Sequence, residues 1–390
     1  MSSEAVELPW VALTIAAGLA LPSTFWLVGL LRWASRRTSR SVGSCQTSQA
    51  AVVVVGRNEE TGIASCLKSV LSNPRDVVAK LLFVDDGSDD DTLEIATRIC
   101  HEDPRLEVHL QRVLAPGFES PKKQALAFAF SKVTQEAVAV TDADCVVPPE
   151  WIKSMMKGQH SAAGAVLGAS WPVEDRGLRA HSYRWERLTA NVAMASSCGW
   201  GSPASACGHN ILYRTAALRE AEAPVHRSLP SGDDDLTVQA IWRRGWTVEF
   251  CDDPRSVVRE AGARGSRLAQ ASRHQSVAHL YPIRWRVMYA WTALSGLAAY
   301  PLLLWWILSD IATVLALSLI LKASLDFLCG LVLAGRLKLN ISVGEIILGT
   351  LFLPAWVIWR ILALAVSRKF IWKDREYANS LTGSPGSTVS

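Results

Sequence analysis

Asp142 and Asp144 stand one residue apart at the end of the apolar run Ala137-Val138-Ala139-Val140-Thr141. The run reads as a buried strand. Side chains alternate along an extended chain, so both carboxylates point to the same side. Two carboxylates converging at a strand end are costly unless a cation sits between them. A hard divalent ion, Mg²⁺ or Mn²⁺, held by these oxygens together with substrate phosphates, is the guest such a pair predicts. Other polar groups keep this one company: Asn58-Glu59-Glu60, Asp85-Asp86-Gly87-Ser88, Lys122 with Lys123, and Asp233-Asp234-Asp235. Each alone reads as an ordinary turn or a helix start, where carboxylates are welcome anyway. Together they predict one acidic crevice.

The elements that must position these residues alternate in type. Ala51 to Val55 is a β-branched run read as a first strand, and Ile63, Leu67, Val70 and Leu71 follow at helical spacing. Leu81 to Val84 is a second strand, Thr92 to Ile99 a helix, Leu106 to Leu110 a third strand, and Pro121 to Lys132 a helix that opens on the lysines. Such alternation predicts an α/β fold with a mostly parallel, doubly wound sheet and helices on both faces. Ligands then bind beyond the carboxyl ends of the strands, where the clusters after strands one, two and four converge. From Trp151 to Pro230 the pattern is weaker. Ala165 to Gly168 reads as a strand and Arg179 to Ala195 as a helix. Cys198 to Asn210 reads as a Gly/Ser/Ala-rich loop able to approach a ligand closely. A helical stretch ends at Gly245-Trp246, and Trp246 to Phe250 reads as a strand.

The 390 residues are 49% hydrophobic with a net charge of +4, which is not the footprint of a nucleic-acid binder. Basic residues cluster instead beside apolar segments. The eight cysteines include no Cys-x-x-Cys pair, so they read as free thiols of a reducing compartment. Leu8 to Leu31 carries no charge and is long enough to span a bilayer; Glu4 and Glu7 precede it, and Arg32, Arg36, Arg37 and Arg40 follow. The positive-inside rule puts the N-terminus outside and the rest in the cytoplasm. Met288 to Leu308 and Ile311 to Ala334 predict a helical hairpin broken at Ser309-Asp310 and returning at the basic Gly335 to Lys338. Ile341 to Val366 is interrupted by Glu345, Pro354 and Arg360 and reads as re-entrant or interfacial. The expected division is a transmembrane helix over 1–33, a linker over 34–50, and a cytoplasmic catalytic domain over 51–284. Membrane helices follow over 285–367, then a basic-aromatic segment with a disordered tail over 368–390.

The order of these motifs, from about Ala51 to His279, resembles the family 2 inverting glycosyltransferases with a GT-A fold. The resemblance implies that Glu59, Asp85 and Asp86 hold the base and ribose of a nucleotide-sugar, usually UDP. Lys122 corresponds to the lysine of the family's Gly-Lys pattern, with Pro121 in place of the glycine. Asp142 and Asp144 correspond to the metal-binding triplet, Asp142 also meeting the nucleotide-sugar. Counting back from Gly245-Trp246 places the family's Glu-Asp pair at Asp233 and Asp234, with Asp234 as general base and its acidic neighbours as alternatives. His209, in Cys207-Gly208-His209-Asn210, corresponds to a loop walling donor sugar and acceptor, a purely structural histidine being the alternative. Gln270 and Arg273 fit the Gln-x-x-Arg-Trp of processive members, but His274 replaces the Trp, which argues against polymer synthesis. Arg368 to Tyr377 resembles the basic-aromatic ends of members that glycosylate lipids. The resulting expectation is transfer of a single sugar from a UDP-sugar to a lipid or lipid-linked acceptor at the cytoplasmic face of the cell membrane. A polysaccharide synthase is the alternative within the class. A nucleotide-sugar pyrophosphorylase, from another class, lacks its Gly run at Gly56-Arg57-Asn58-Glu59.

Overall fold

The computed structural model describes residues 4–36, 49–173, 177–229, 231–260, 276–308, 312–352, 369–372 and 375–378. Three strands rich in β-branched and aliphatic residues form its centre: β1 (Ala50–Gly56), β2 (Val78–Asp85) and β4 (Ala137–Asp142), every residue of β1 being buried. With β3 (Leu106–Leu110) they make four parallel strands in the order β3-β2-β1-β4. The sheet continues through β8 (Ile211–Arg214), antiparallel to β4, then β6 (Ala163–Leu167) and β9 (Thr247–Phe250). Period-two alternation splits β1 between two cores. Val52 and Val54 pack with α2 (Ile63–Leu71), α3 (Thr92–Glu102) and α5 (Trp151–Met156). Val53 and Val55 pack on the other face with α4 (Pro121–Lys132), α6 (Leu178–Gly199) and α8 (Asp235–Arg243). A second, small sheet has the order β5-β10-β7, from Cys145–Val146, Val258–Glu260 and Ser170–Pro172.

The parallel half follows the expected alternation, element by element. The expectations differ from the structure past Trp151. Strands β5, β7, β8 and β10 have two to four residues each, too short to carry a readable period. The helix read as ending at Ala195 continues to Gly199, and the strand read from Trp246 starts at Thr247. The basic Gly335 to Lys338, where the hairpin was expected to return, is still helix through Leu337.

Four long or apolar helices flank this domain: α1 (Glu4–Arg36), α9 (Ile283–Leu308), α10 (Ala312–Leu337) and α11 (Val343–Phe352). Among the described residues two stretches, Thr14–Arg36 and Ala316–Leu337, are long and apolar enough to cross a membrane by length and composition. These helices do not stand apart from the central sheet. Trp26, Leu30 and Trp33 of α1, Trp285 of α9 and Leu333 of α10 belong to the same core cluster as Val53 and Val138. The α1–α6 crossing depends on small residues: a Cβ at Gly199 would lie 1.8 Å from the Gly29 carbonyl oxygen. Trp33 Nε1 donates to the Phe250 carbonyl at 2.9 Å, tying the end of α1 to β9. At the other end, Ser342 and Glu345 form a reciprocal capping box on α11. Glu345 also pairs with His181 and Arg184 of α6.

Candidate active site

The loops after β1 and β2 are knitted to each other by hydrogen bonds. The Asp86 N–H donates to the Gly56 carbonyl, the Asn58 N–H to Ser88 Oγ, and the Asp89 N–H to Asn58 Oδ1. Asp85 accepts from the Ser88 N–H at 2.8 Å and from its hydroxyl. Asp90 accepts from the Thr92 N–H and hydroxyl, and the Glu59 N–H donates to Thr92 Oγ1 at 2.7 Å. The turn needs positive φ at Asn58 and Gly87, a region where Asn and Gly are the least strained residues. Glu59, Asp85 and Asp86 are therefore gathered, buried, at the carboxyl ends of β1 and β2.

The next group lies across the sheet at β4. Ser120 caps α4 and Pro121 occupies its first turn, which sets Lys122 at the helix start. A cation gains nothing from that end of a helix dipole. Its partners are elsewhere: Lys122 Nζ reaches Asp142 Oδ1 at 2.9 Å and Asp233 Oδ2 at 3.3 Å. Burial alone would raise the Asp142 pKa, but Lys122 and His209 outweigh it and hold the carboxyl well below its ordinary range. Asp144 moves the opposite way: burial and the Asp142 charge push it up. His209 bridges two carboxylates, with Nδ1 at 3.6 Å from Asp142 Oδ2 and Nε2 at 3.3 Å from Glu260 Oε2. Both partners accept only, so the ring serves both contacts when both nitrogens carry protons.

The triple aspartate resolves into three environments. Asp233 faces Lys122. Asp234 is the N-cap of α8 and accepts from the Asp235 N–H at 2.7 Å. Its Oδ2 lies so near the Gly208 backbone that a Cβ there would come within 2.9 Å. Burial and Asp233 push the Asp234 pKa up. Asp235 is buried with both oxygens engaged, by the Ala206 N–H and the Tyr281 hydroxyl. It thereby links the 202–209 loop to the entry into α9.

Three partners, Glu260, Arg187 and Tyr281, were not singled out in the sequence, and a fourth, Lys123, was named only beside Lys122. Glu260, on β10, pairs in register with Cys145 beside Asp144 and is held by Arg187 of α6, which also donates to the Tyr183 hydroxyl. Lys123 is fully buried and donates to the Val225 and His226 carbonyls; burial lowers its pKa to about 8. Tyr281 completes the set. Only the pairing of Lys122 with Lys123 gave a sequence signal for any of them. Gln270, Arg273 and His274 lie outside the described residues, as does Ile341 to Val366 beyond Phe352.

Among the described residues no three His, Cys, Asp or Glu side chains form a ready metal cage. The donor chemistry nevertheless fits a hard divalent ion. Asp142 and Asp144 offer oxygen alone, and burial together with the adjacent Asp142 charge disfavours ionisation of Asp144, a cost that a cation between them would relieve.

The fold is GT-A-like, as its likeness to solved structures shows. The mannosyltransferase PcManGT from Pyrobaculum calidifontis, in complex with GDP-Man and Mn²⁺, superposes with a TM-score of 0.54 at 18% identity, covering 90% of this chain and 99% of that one. GalNAc-T7 with UDP, GalNAc and Mn²⁺ matches more loosely, with a TM-score of 0.40 at 17% identity over 55% of this chain and 43% of that one. Residues 51–221 match the glycosyl transferase family 2 model. The matched segment holds Glu59, Asp85, Asp86, Lys122, Asp142, Asp144 and His209 and ends before Asp233 to Asp235.

Proposed function

We propose that the chain is an inverting, metal-dependent glycosyltransferase that moves one sugar from a UDP-sugar to a lipid or lipid-linked acceptor at the cytoplasmic face of a membrane. One observation carries the reading: the Lys122 ammonium touches Asp142 and Asp233 at once, so the donor-side and acceptor-side motifs lie one side chain apart. Glu59, Asp85 and Asp86 take the base and ribose. Asp142 and Asp144 would hold Mg²⁺ or Mn²⁺, which when bound neutralises charge on the departing diphosphate. Lys122 adds a fixed positive charge beside the same carboxylate.

Asp234 removes the proton of the acceptor hydroxyl. The acceptor oxygen bonds to the anomeric carbon as the bond to the diphosphate breaks, and the electron pair leaves with the nucleoside diphosphate. Asp234 is preferred over Asp235, whose oxygens are committed to Ala206 and Tyr281, and over Asp233, which faces Lys122. Its raised pKa suits a base working near neutral pH. His209 holds the 207–209 loop against Asp142 on the donor side. Gln270, Arg273 and His274 are assigned to acceptor or diphosphate contacts by motif correspondence alone. The lipid acceptor rests on the apolar helices packed into the catalytic core, with Leu21, Leu31, Leu317 and Ile320 exposed on them.

The test is incubation of membranes holding the full chain with labelled UDP-sugars and, because PcManGT carries GDP-Man, GDP-sugars as well. Label extracted into organic solvent supports a glycolipid product. Label in insoluble polymer favours a synthase, and no label transfer from any donor refutes the activity.

A further inference from the structure

Six arginines collar the helix ends around α6: Arg32 and Arg36 at the end of α1, Arg243 and Arg244 at the end of α8, and Arg284 and Arg286 in the first turn of α9. Contacts join three of them, Arg32, Arg36 and Arg284, through Trp200, Trp242 and Gly201. Arg284 lies over the Trp242 ring at 4.7 Å, and Trp242 Nε1 donates to the Gly201 carbonyl. Arg36 approaches Gly201 and donates to the Cys198 carbonyl, and Arg32 lies over the Trp200 ring at 4.9 Å. None of the six has a carboxylate within ion-pair distance among the described residues, and all but the half-buried Arg36 are exposed.

Four of these charges have a local explanation, because cations favour the carbonyl end of a helix. Arg284 and Arg286 do not: they sit at the amide end of α9, where the dipole opposes them. Their position makes sense with an anion outside the chain. The surface immediately beyond is apolar, with Leu31 of α1 and Ile283, Val287 and Leu294 of α9 all exposed. Both helices leave the domain in the same direction from this collar: Trp26 pairs with Thr292, and farther out Trp291 Nε1 donates to the Gly18 carbonyl.

We infer that this arginine collar is a docking surface for the phosphate head groups of anionic lipids in the bilayer that α1 and α9 enter. The inference rests on the membrane reading above but not on the transferase reading. Guanidinium groups bind phosphate bidentately, and indole rings sit well at the head-group level. Opposed like charges without carboxylate partners gain from such anions at the surface.

The test uses the full chain reconstituted in bilayers carrying trace spin-labelled phosphatidylcholine or phosphatidylglycerol, with the protein-restricted fraction measured for each. Phosphatidylglycerol is expected to be preferred by about fivefold, the order that one arginine contributes at an anionic surface. The preference should fall with added salt and persist in millimolar inorganic phosphate, which distinguishes a lipid site from a free-phosphate site. Arg284→Gln/Arg286→Gln should bring it close to one, and Arg243→Gln/Arg244→Gln should reduce it, a second variant in case the first misfolds. Equal restriction of both lipids in the unmodified chain overturns the inference while leaving the membrane reading intact. So does displacement by polyglutamate or RNA, which would assign the collar to an acidic macromolecule. No restricted lipid of either kind overturns the membrane reading and the collar with it.

Discussion

The two halves of the crevice are built by different means. On the side of β1 and β2, Asp85 is fixed by Ser88 and Asp90 by Thr92, neighbours in sequence, and the two adjoining loops then bind each other. On the side of β4, β8 and β10, most fixing partners come from other elements, although Asp234 is also held by the adjacent Asp235 N–H. Asp142 answers to Lys122 and His209, His209 to Glu260, Glu260 to Arg187, and Asp235 to Tyr281. A locally tied turn forms wherever its few residues do. A remotely tied cluster exists only when α4, α6, α8, β10 and the entry to α9 are all in place. Binding of the nucleotide should therefore survive changes that abolish transfer.

The largest effect expected is at the base. Asp234→Asn should slow sugar transfer by about 10²–10⁴-fold while nucleotide affinity, measured by calorimetry, stays that of the unmodified chain. Asp144→Ala should lose turnover and also weaken nucleotide binding in Mn²⁺, so the pair separates the base from the metal side. Equal loss of nucleotide affinity in both variants would erase the division between the halves.

Next comes Glu260→Leu. It leaves Arg187 buried beside an apolar side chain and frees His209, and breaking such a pair costs about 3–5 kcal/mol. Chemical denaturation should show that loss together with a fall in transfer. A variant as stable as the unmodified chain would show that the remote network does not hold this half.

Lys123 supplies a pH dependence. Its pKa in the folded chain is about 8 against an ordinary 10.5, because burial disfavours the charge. Between those values the unfolded chain binds more protons than the folded one, so stability rises with pH across that window. The penalty on the charged lysine is fully present below about pH 8. One proton gives a slope of up to about 1.4 kcal/mol per pH unit. Lys123→Met should flatten that slope in denaturation curves taken from pH 8 to 10.5.

The smallest effect is on the local side. Ser88→Ala removes the hydroxyl from Asp85 and should cost about 1 kcal/mol of stability. The KM for the donor should rise with kcat nearly unchanged. A fall in kcat as large as that of Asp234→Asn would mean that the two sides act as one.

How much of this was legible follows from the same division. Val52 to Val55 and Leu81 to Val84 announce strands because a buried parallel strand is apolar on both faces. The carboxylates after them announce a crevice because strand ends in such a sheet converge. Ser120-Pro121 announces the start of α4, and with it the place of Lys122. These are readings over a few residues, where backbone preference and period decide. Glu260 ends a three-residue strand that carries no period, Arg187 lies mid-helix, and Tyr281 precedes an apolar helix. Nothing near any of them in sequence reports its partner. The roles of Asp233, Asp234 and Asp235 were likewise ambiguous as a string, since three adjacent carboxylates all suit a helix start.

The sequence by itself determined the parallel half of the sheet, the crevice at its carboxyl end and the apolar character of α1, α9 and α10. Each is set by side-chain type and spacing along a few turns of chain. The tertiary structure alone decided which aspartate is committed to Tyr281, which carboxylates flank His209, and that α1 shares its core with β4 instead of standing off on a tether. Those outcomes depend on contacts between residues separated by 46 positions for Asp235 and Tyr281 and by 217 for Trp33 and Phe250. Only closure of the whole fold brings such pairs within reach.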